Sequence, residues 1–250
     1  MLKSHGYEVA PRLAAAATKY DGAVTHGTTV LAIKYKDGVL VAGDRRATAG
    51  NVVMYERAEK LINVDEHSIL AVAGVPAVAF EMARVLEHSF KYYLRSQLQE
   101  MSMAGKVRSL SKLLRENLPL TLQGVGMVVP LFATYDFSDG KSGAGKVYFY
   151  DALGAQFEGV DYSASGSGSL AVRSVLHYLN HWGSKPLAKL AQDETLVVAL
   201  RALDTAAESD TATGGYDRRS NIFPNVRTIT ADGIHEIPET ELARVYRSDV

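Results

Sequence analysis

Thr28 stands behind His26 and Gly27 and opens the stretch TTVLAIKY. Inside an uncut chain it is a β-branched residue starting a strand. As the first residue of a processed chain it becomes a nucleophile that carries its own base. A free α-amino group has an ordinary pKa of ~7.7–8.0, and it would sit on the same residue as the hydroxyl it must activate. The Thr methyl restricts χ1 and holds Oγ in place, and Gly27, lacking Cβ, suits a cut at the Gly27–Thr28 bond because it permits close backbone approach. Asp44 in GDRRAT and Lys60 in RAEKL are, taken singly, a turn residue and a solvated charge. Together they could form a buried ion pair beside Thr28. The ammonium would favour a neutral terminal amine and stabilise a developing anion, while the carboxylate holds the lysine charged. Gly74 reads either as a strand-to-helix turn or as a backbone N–H open to an oxyanion.

Other clusters point to less. Gly166-Ser167-Gly168-Ser169 precedes a predicted helix, so a phosphate cradle is conceivable. It matches neither GxxxxGK[ST] nor GxGxxG, and the chain has no GxSxG nucleophile elbow. His177 and His181 are four apart on a predicted helix but have no third ligand at useful spacing, which favours a solvated face over a metal. Asp210–Gly215 is a plain polar loop unless its carboxylate and hydroxyl face the site.

These residues need elements to hold them. TTVLAIKY and VLVAGDRR flank Lys36-Asp37-Gly38, a hairpin signal. The first run is apolar on both faces, so it should be covered on both sides. A strand over 68–74 runs into a helix over about 77–99, with Val78, Met82, Val85, Leu86 and Ser89 at helical spacing. A second helix is predicted over 104–122, then strands at 127–135, 146–151 and 156–163. Helices at 170–182 and 193–208 follow, the latter with Asp193 as N-cap. A hairpin over 225–237 and a short helix over 239–247 close the pattern. Hairpin-linked strands imply antiparallel sheets, and each helix pair needs an apolar sheet face to cover. Two sheets packed together with a helical layer outside each satisfy every face: an α+β fold, a four-layer αββα sandwich. No repeat and no long linker divides it.

The bulk composition bounds the function. The 250 residues carry 27 Lys and Arg against 28 Asp and Glu, a net charge of −1, which argues against a nucleic-acid surface or an anionic membrane. Cysteine is absent, so thiolate nucleophiles and Cys-held metals are excluded. No apolar run approaches the ~18–20 residues that span a bilayer. Residues 1–27 read as neither an export signal nor a domain, but as a candidate pro-segment ahead of a single domain over 28–250.

Taken in order, the motifs resemble those of the catalytic β-subunits of the 20S proteasome, most closely the actinobacterial type. HGTT supplies the processing site and Thr28. Asp44 lies sixteen residues past Thr28 and Lys60 thirty-two past it, where that family places its aspartate and lysine. AVAGVPA supplies Gly74 as the oxyanion glycine. The resemblance implies that Ser167 of SGSGS, Asp210 and Thr213 support the terminal amine and the attacking water, with Thr213 where the family often has Ser. It implies an N-terminal-nucleophile hydrolase fold and a threonine endopeptidase that matures by its own cut. Substrate contacts would come from Ala47, Thr48, Ala58, Ile62, Val72, Pro76 and Phe80. That side-chain set is largely apolar and implies cleavage after large apolar residues. Also implied are a cytoplasmic location and no cofactor. The implied partners are proteasome α subunits, copies of the chain in heptameric rings within a four-ring core, an ATPase unfoldase ring and unfolded protein substrates. A β-type subunit that keeps the fold but never matures is the alternative from another class.

Overall fold

Strand alternation decides the architecture. In β1 (Thr29–Tyr35), Leu31, Ile33 and Tyr35 face one way while Val30 and Ala32 face the other, and all five are buried. A strand apolar on both faces must lie between two layers. The computed structural model describes residues 27–50, 52–137 and 143–250. Of the expected pro-segment, 1–26 lie outside them.

β1 turns at Lys36-Asp37 into β2 (Gly38–Gly43), with Tyr35 opposite Gly38 and Val30 opposite Gly43. This hairpin is the centre of an antiparallel sheet ordered β10-β1-β2-β11-β12, where β10 is Tyr162–Gly166, β11 is Asn225–Thr230 and β12 is Gly233–Glu236. The second sheet is ordered β5-β6-β7-β8-β9 and is also antiparallel throughout. Its strands are β5 (Leu61–Asp65), β6 (Ser68–Ala71), β7 (Leu131–Asp136), β8 (Ala144–Tyr150) and β9 (Gln156–Gly159). A small hairpin, β3 (Ala47–Ala49) with β4 (Val52–Tyr55), stands apart.

Helices cover the outer faces. α1 (Pro76–Gln97) and α2 (Met103–Glu116) lie over the second sheet, followed by the short α3 (Leu118–Leu122). α4 (Ser169–Trp182), α5 (Gln192–Ser209) and α6 (Glu239–Ser248) cover the first. Three apolar clusters mark the seams between four layers. Leu31, Ile33 and Leu40 pack with Leu176, Leu200 and Leu242. Leu70, Phe132 and Tyr150 pack with Leu86, Phe90 and Leu110. Between the sheets, Val30, Ala32 and Val41 meet Leu61, Ile69, Leu131 and Val147. The chain is therefore the αββα sandwich that its pattern implies.

Several boundaries differ from the sequence reading, each for a local reason. The single strand over 156–163 is two strands in different sheets, because the chain turns at Val160-Asp161 and crosses layers. β7 starts at Leu131 rather than Met127, since Pro130 has no N–H to give a ladder. The helix over 104–122 breaks at Asn117, just ahead of Pro119. The N-cap of α5 is Ala191, not Asp193, and the Glu194 carboxylate accepts from the Ala191 N–H at 2.8 Å. On α1 the buried stripe runs through Ala79, Met82, Ala83, Leu86 and Phe90, and Val85 is exposed. Strands β3, β4 and β5 are absent from the sequence reading: β3 and β4 are only three and four residues long, β4 is exposed throughout, and Asn63 interrupts β5.

Candidate active site

Asp44 follows the last residue of β2 and is fully buried. A carboxylate there must be satisfied on both oxygens. Oδ1 accepts from the Thr29 N–H at 2.7 Å and from Lys60 Nζ at 2.6 Å. Oδ2 accepts from the N–H groups of Arg46 and Gly214, each at 2.9 Å. One oxygen thus pins the lysine one residue from Thr28. Lys60 immediately precedes β5 and is 4% exposed, and its ammonium also donates to the Arg46 carbonyl at 2.5 Å. Burial drives the Lys60 pKa below its ordinary value. The Asp44 charge opposes that only in part, and the Arg46 guanidinium adds to the depression. Desolvation is the largest effect, and the Asp44 charge and hydrogen bond work against it, in the direction that favours a charged lysine.

Thr28 is buried, and its hydroxyl donates to the Gly27 carbonyl oxygen at 2.6 Å. Its own carbonyl accepts from Ser167 N–H at 2.9 Å, where β10 ends against β1. Gly27 lies in a tight slot. A Cβ there would come within 2.2 Å of Thr48 Oγ1 and 2.6 Å of Ala212 Cβ, so a side chain forces either these neighbours or the Gly27 backbone to shift. Among the described residues, the buried Thr48 hydroxyl itself has no hydrogen-bond partner.

The Asp210 loop does face this end. Asp210 caps α5, and its Oδ2 accepts from the Thr213 hydroxyl at 2.5 Å while Oδ1 accepts from Ala212 N–H at 3.1 Å. Partial burial alone would raise the Asp210 pKa. Hydrogen bonds from Ser167, Thr213 and Ala212, with the Lys60 charge, outweigh it and hold the carboxyl below its ordinary value.

Gly74 stands past the end of β6, on the same side as Lys60: Val72 N–H bonds the Lys60 carbonyl at 2.9 Å. Gly74 pairs with Val128 in an isolated antiparallel bridge whose bonds, Val75 N–H to Met127 and Val129 N–H to Ala73, both belong to the flanking residues. In such a pair the residue's own N–H points away from the partner strand. Its φ of +113° and a hypothetical Cβ 2.2 Å from the Met127 carbonyl oxygen admit only glycine.

The expected substrate-contact residues are spread over neighbouring segments. Ala47 and Thr48 lie in β3, and Ala58 N–H bonds Arg45 carbonyl at 2.9 Å. Ile62 and Val72 pack into the cluster beneath α1, Pro76 opens α1, and Phe80 is 41% exposed on it. His177 and His181 stack on the exposed side of α4 next to Trp182, outside this grouping. Sequence reasoning missed Thr29 and the backbone groups of Arg46, Gly168 and Gly214. The Asp44-Arg-Arg46 order carries a usable signal, since a carboxylate two residues ahead of an N–H readily bonds it.

The grouping presents a buried hydroxyl on a peptide carbonyl, a buried lysine–carboxylate pair and a backbone N–H turned away from its neighbouring strand, a set suited to acyl transfer. A family model described as "Proteasome subunit" matches residues 24–218. A protein of Thermomonospora curvata named proteasome subunit beta 2 is 41% identical over 227 residues, 91% of this chain and 78% of its own. Proteasome subunit beta 1 of Streptomyces avermitilis is 37% identical over the same shares. Proteasome subunit beta of Acidothermus cellulolyticus is 38% identical over 89% of this chain and 74% of its own.

Asp44→Asn places amide hydrogens against N–H donors and leaves Lys60 buried without its counter-charge. The expected loss is roughly 3–5 kcal/mol in chemical denaturation; unfolding unchanged from wild type would show that the pair does not anchor this end.

Proposed function

The chain belongs to the proteasome subunit family, and from its site we propose that it is a threonine endopeptidase that creates its own nucleophile. Its relatives are β-type, which makes it a peptidase subunit of the proteasome core. The observation that carries the reading is the Thr28 hydroxyl bonded at 2.6 Å to the peptide group that must be cut, one residue from the Asp44–Lys60 pair.

Maturation begins with Oγ attack on the Gly27 carbonyl carbon as the hydroxyl proton passes to water. The Gly27–Thr28 C–N bond breaks, Thr28 nitrogen takes a proton, and the acyl group moves to Oγ as an ester. Water hydrolyses the ester, and the segment over 1–27 leaves a single domain over 28–250. Lys60 spends two ammonium protons on Asp44 and Arg46; the third serves the Thr28 oxygen, and its depressed pKa suits it to share a proton. An uncut chain has no free amine and is a zymogen.

Peptide hydrolysis repeats the chemistry with a new base. The Thr28 amine, directly or through water, takes the Oγ proton, and Oγ attacks the substrate carbonyl. Gly74 N–H holds the oxyanion. The amine product leaves with the proton, and water releases the acyl-enzyme. Ser167, Asp210 and Thr213 orient the amine and that water. Ala47, Thr48, Ala58, Ile62, Val72, Pro76 and Phe80 receive the side chain before the cut. Assembly with α subunits in heptameric rings of a four-ring core, feeding of unfolded proteins by an ATPase ring, and action in the cytoplasm complete the proposal.

In the assembled particle, Thr28→Ala should retain residues 1–27 by intact mass and lose peptide hydrolysis by roughly 10³-fold or more. Cleavage after Gly27 in that variant, without wild-type neighbours, would sink the mechanism. Gly27→Ala should slow processing by about 10²-fold, because its methyl displaces the scissile group; N-terminal mass against time reads the rate. On a fluorogenic peptide panel, cleavage after large apolar residues should be fastest, and faster cleavage after basic or acidic ones would overturn the assignment.

A further inference from the structure

The reading above uses one of the two threonines at the start of β1. Alternation sends the next residue to the opposite face, where Leu31 and Ile33 meet the α4–α5 layer. Thr29 therefore stands at the top of that layer, fully buried, between the start of α4 and the end of α5. Its oxygen accepts from the Gly168 N–H at 2.9 Å and lies 2.6 Å from the Thr213 hydroxyl. Thr213 in turn donates to Asp210. On its backbone, Thr29 N–H bonds Asp44 and its carbonyl accepts from Asp44 N–H at 3.0 Å.

The direction of this line follows from its two ends. A backbone N–H can only donate, so Thr29 Oγ1 accepts from Gly168. An ionised carboxylate can only accept, so the Thr213 proton goes to Asp210. The Thr29 proton is left for Thr213. Every hydroxyl in the line has one donor and one acceptor, and each polarises the next.

We propose that Thr29 is a positioning residue for the reaction of Thr28, tying the Asp44–Lys60 pair to the Asp210 carboxylate through one buried hydroxyl line. It rests on the assignment of Thr28 as nucleophile. Thr29 touches neither substrate nor the reacting atoms; it fixes where Thr213 points and hence how fully Asp210 is held as an acceptor. The charged group acting on Asp210 is Lys60, while the Arg46 guanidinium braces the same loop by bonding the carbonyls of Thr211 at 3.1 Å and Thr213 at 3.5 Å.

The test compares Thr29→Val, which keeps the shape and removes the hydroxyl, with Thr29→Ser, which restores it, in the assembled full chain beside Thr28→Ala. For Val, kcat on a fluorogenic peptide should fall roughly tenfold with KM little changed, and the acid limb of kcat should move to higher pH. Ser should recover most of kcat and the wild-type limb. Wild-type kcat and pH profile in Val overturn the proposal, as do equal losses in Val and Ser with an unmoved limb, which would mean packing alone. Should Val fail to assemble, Thr29→Ala and Thr213→Ala are combined. Cutting one line twice should cost no more than the worse single change, and additive losses overturn the idea. A Thr28→Ala particle that still hydrolyses peptide fails the nucleophile assignment itself, and this inference with it.

Discussion

A carboxylate with no solvent is a demand on everything around it. Asp44 meets that demand with donors from four separate places: the start of β1, its own following turn, the residue before β5 and the loop after α5. None of these segments can move without leaving a buried charge unmet. Two of them, Lys60 and Gly214, come from opposite sheets or layers, so the ion pair and its amides hold the two halves of the sandwich in register at one end. The rest of the site inherits its placement from this point.

The layers explain why such a point can exist. The apolar seam between the sheets, with Val30 and Val41 against Leu61 and Leu131, runs up to the rung where Gly43, Gly166 and Leu61 end or begin their strands. Beyond that rung the backbone is irregular and its polar groups are free to converge. β1 looks both ways at its start: the Thr29 N–H meets the Asp44 carboxylate while the Thr29 hydroxyl points to the helix ends. A strand apolar on both faces thus also delivers an N–H and a hydroxyl to two different polar groups.

Much of this is legible in the residues. The Lys36-Asp37-Gly38 hairpin and the two-faced apolar run of β1 are local signals, and they suffice to demand covering layers. Asp44, Lys60 and Gly74 can be picked out by type and order, but their meeting depends on pairings such as Leu61 with Ala71 that only the sheet establishes. The split at Val160-Asp161 was illegible because polar residues inside a β-rich run do not announce that the chain changes sheets. Thr29 was passed over for a related reason. A threonine in a strand looks the same whether its hydroxyl meets water or a helix end, and its value lies in partners 139 and 184 residues away.

The slot that holds Gly27 has an energetic side. Thr48 is shut in by that glycine with its hydroxyl unmatched by any described residue, and a buried polar group left so costs about 1–3 kcal/mol. Gly27 lies close against that hydroxyl, so the two positions are coupled sterically. On the proposed maturation, a cut at that place would do two things at once: free the amine of Thr28 and take away the residue that lies against the Thr48 hydroxyl.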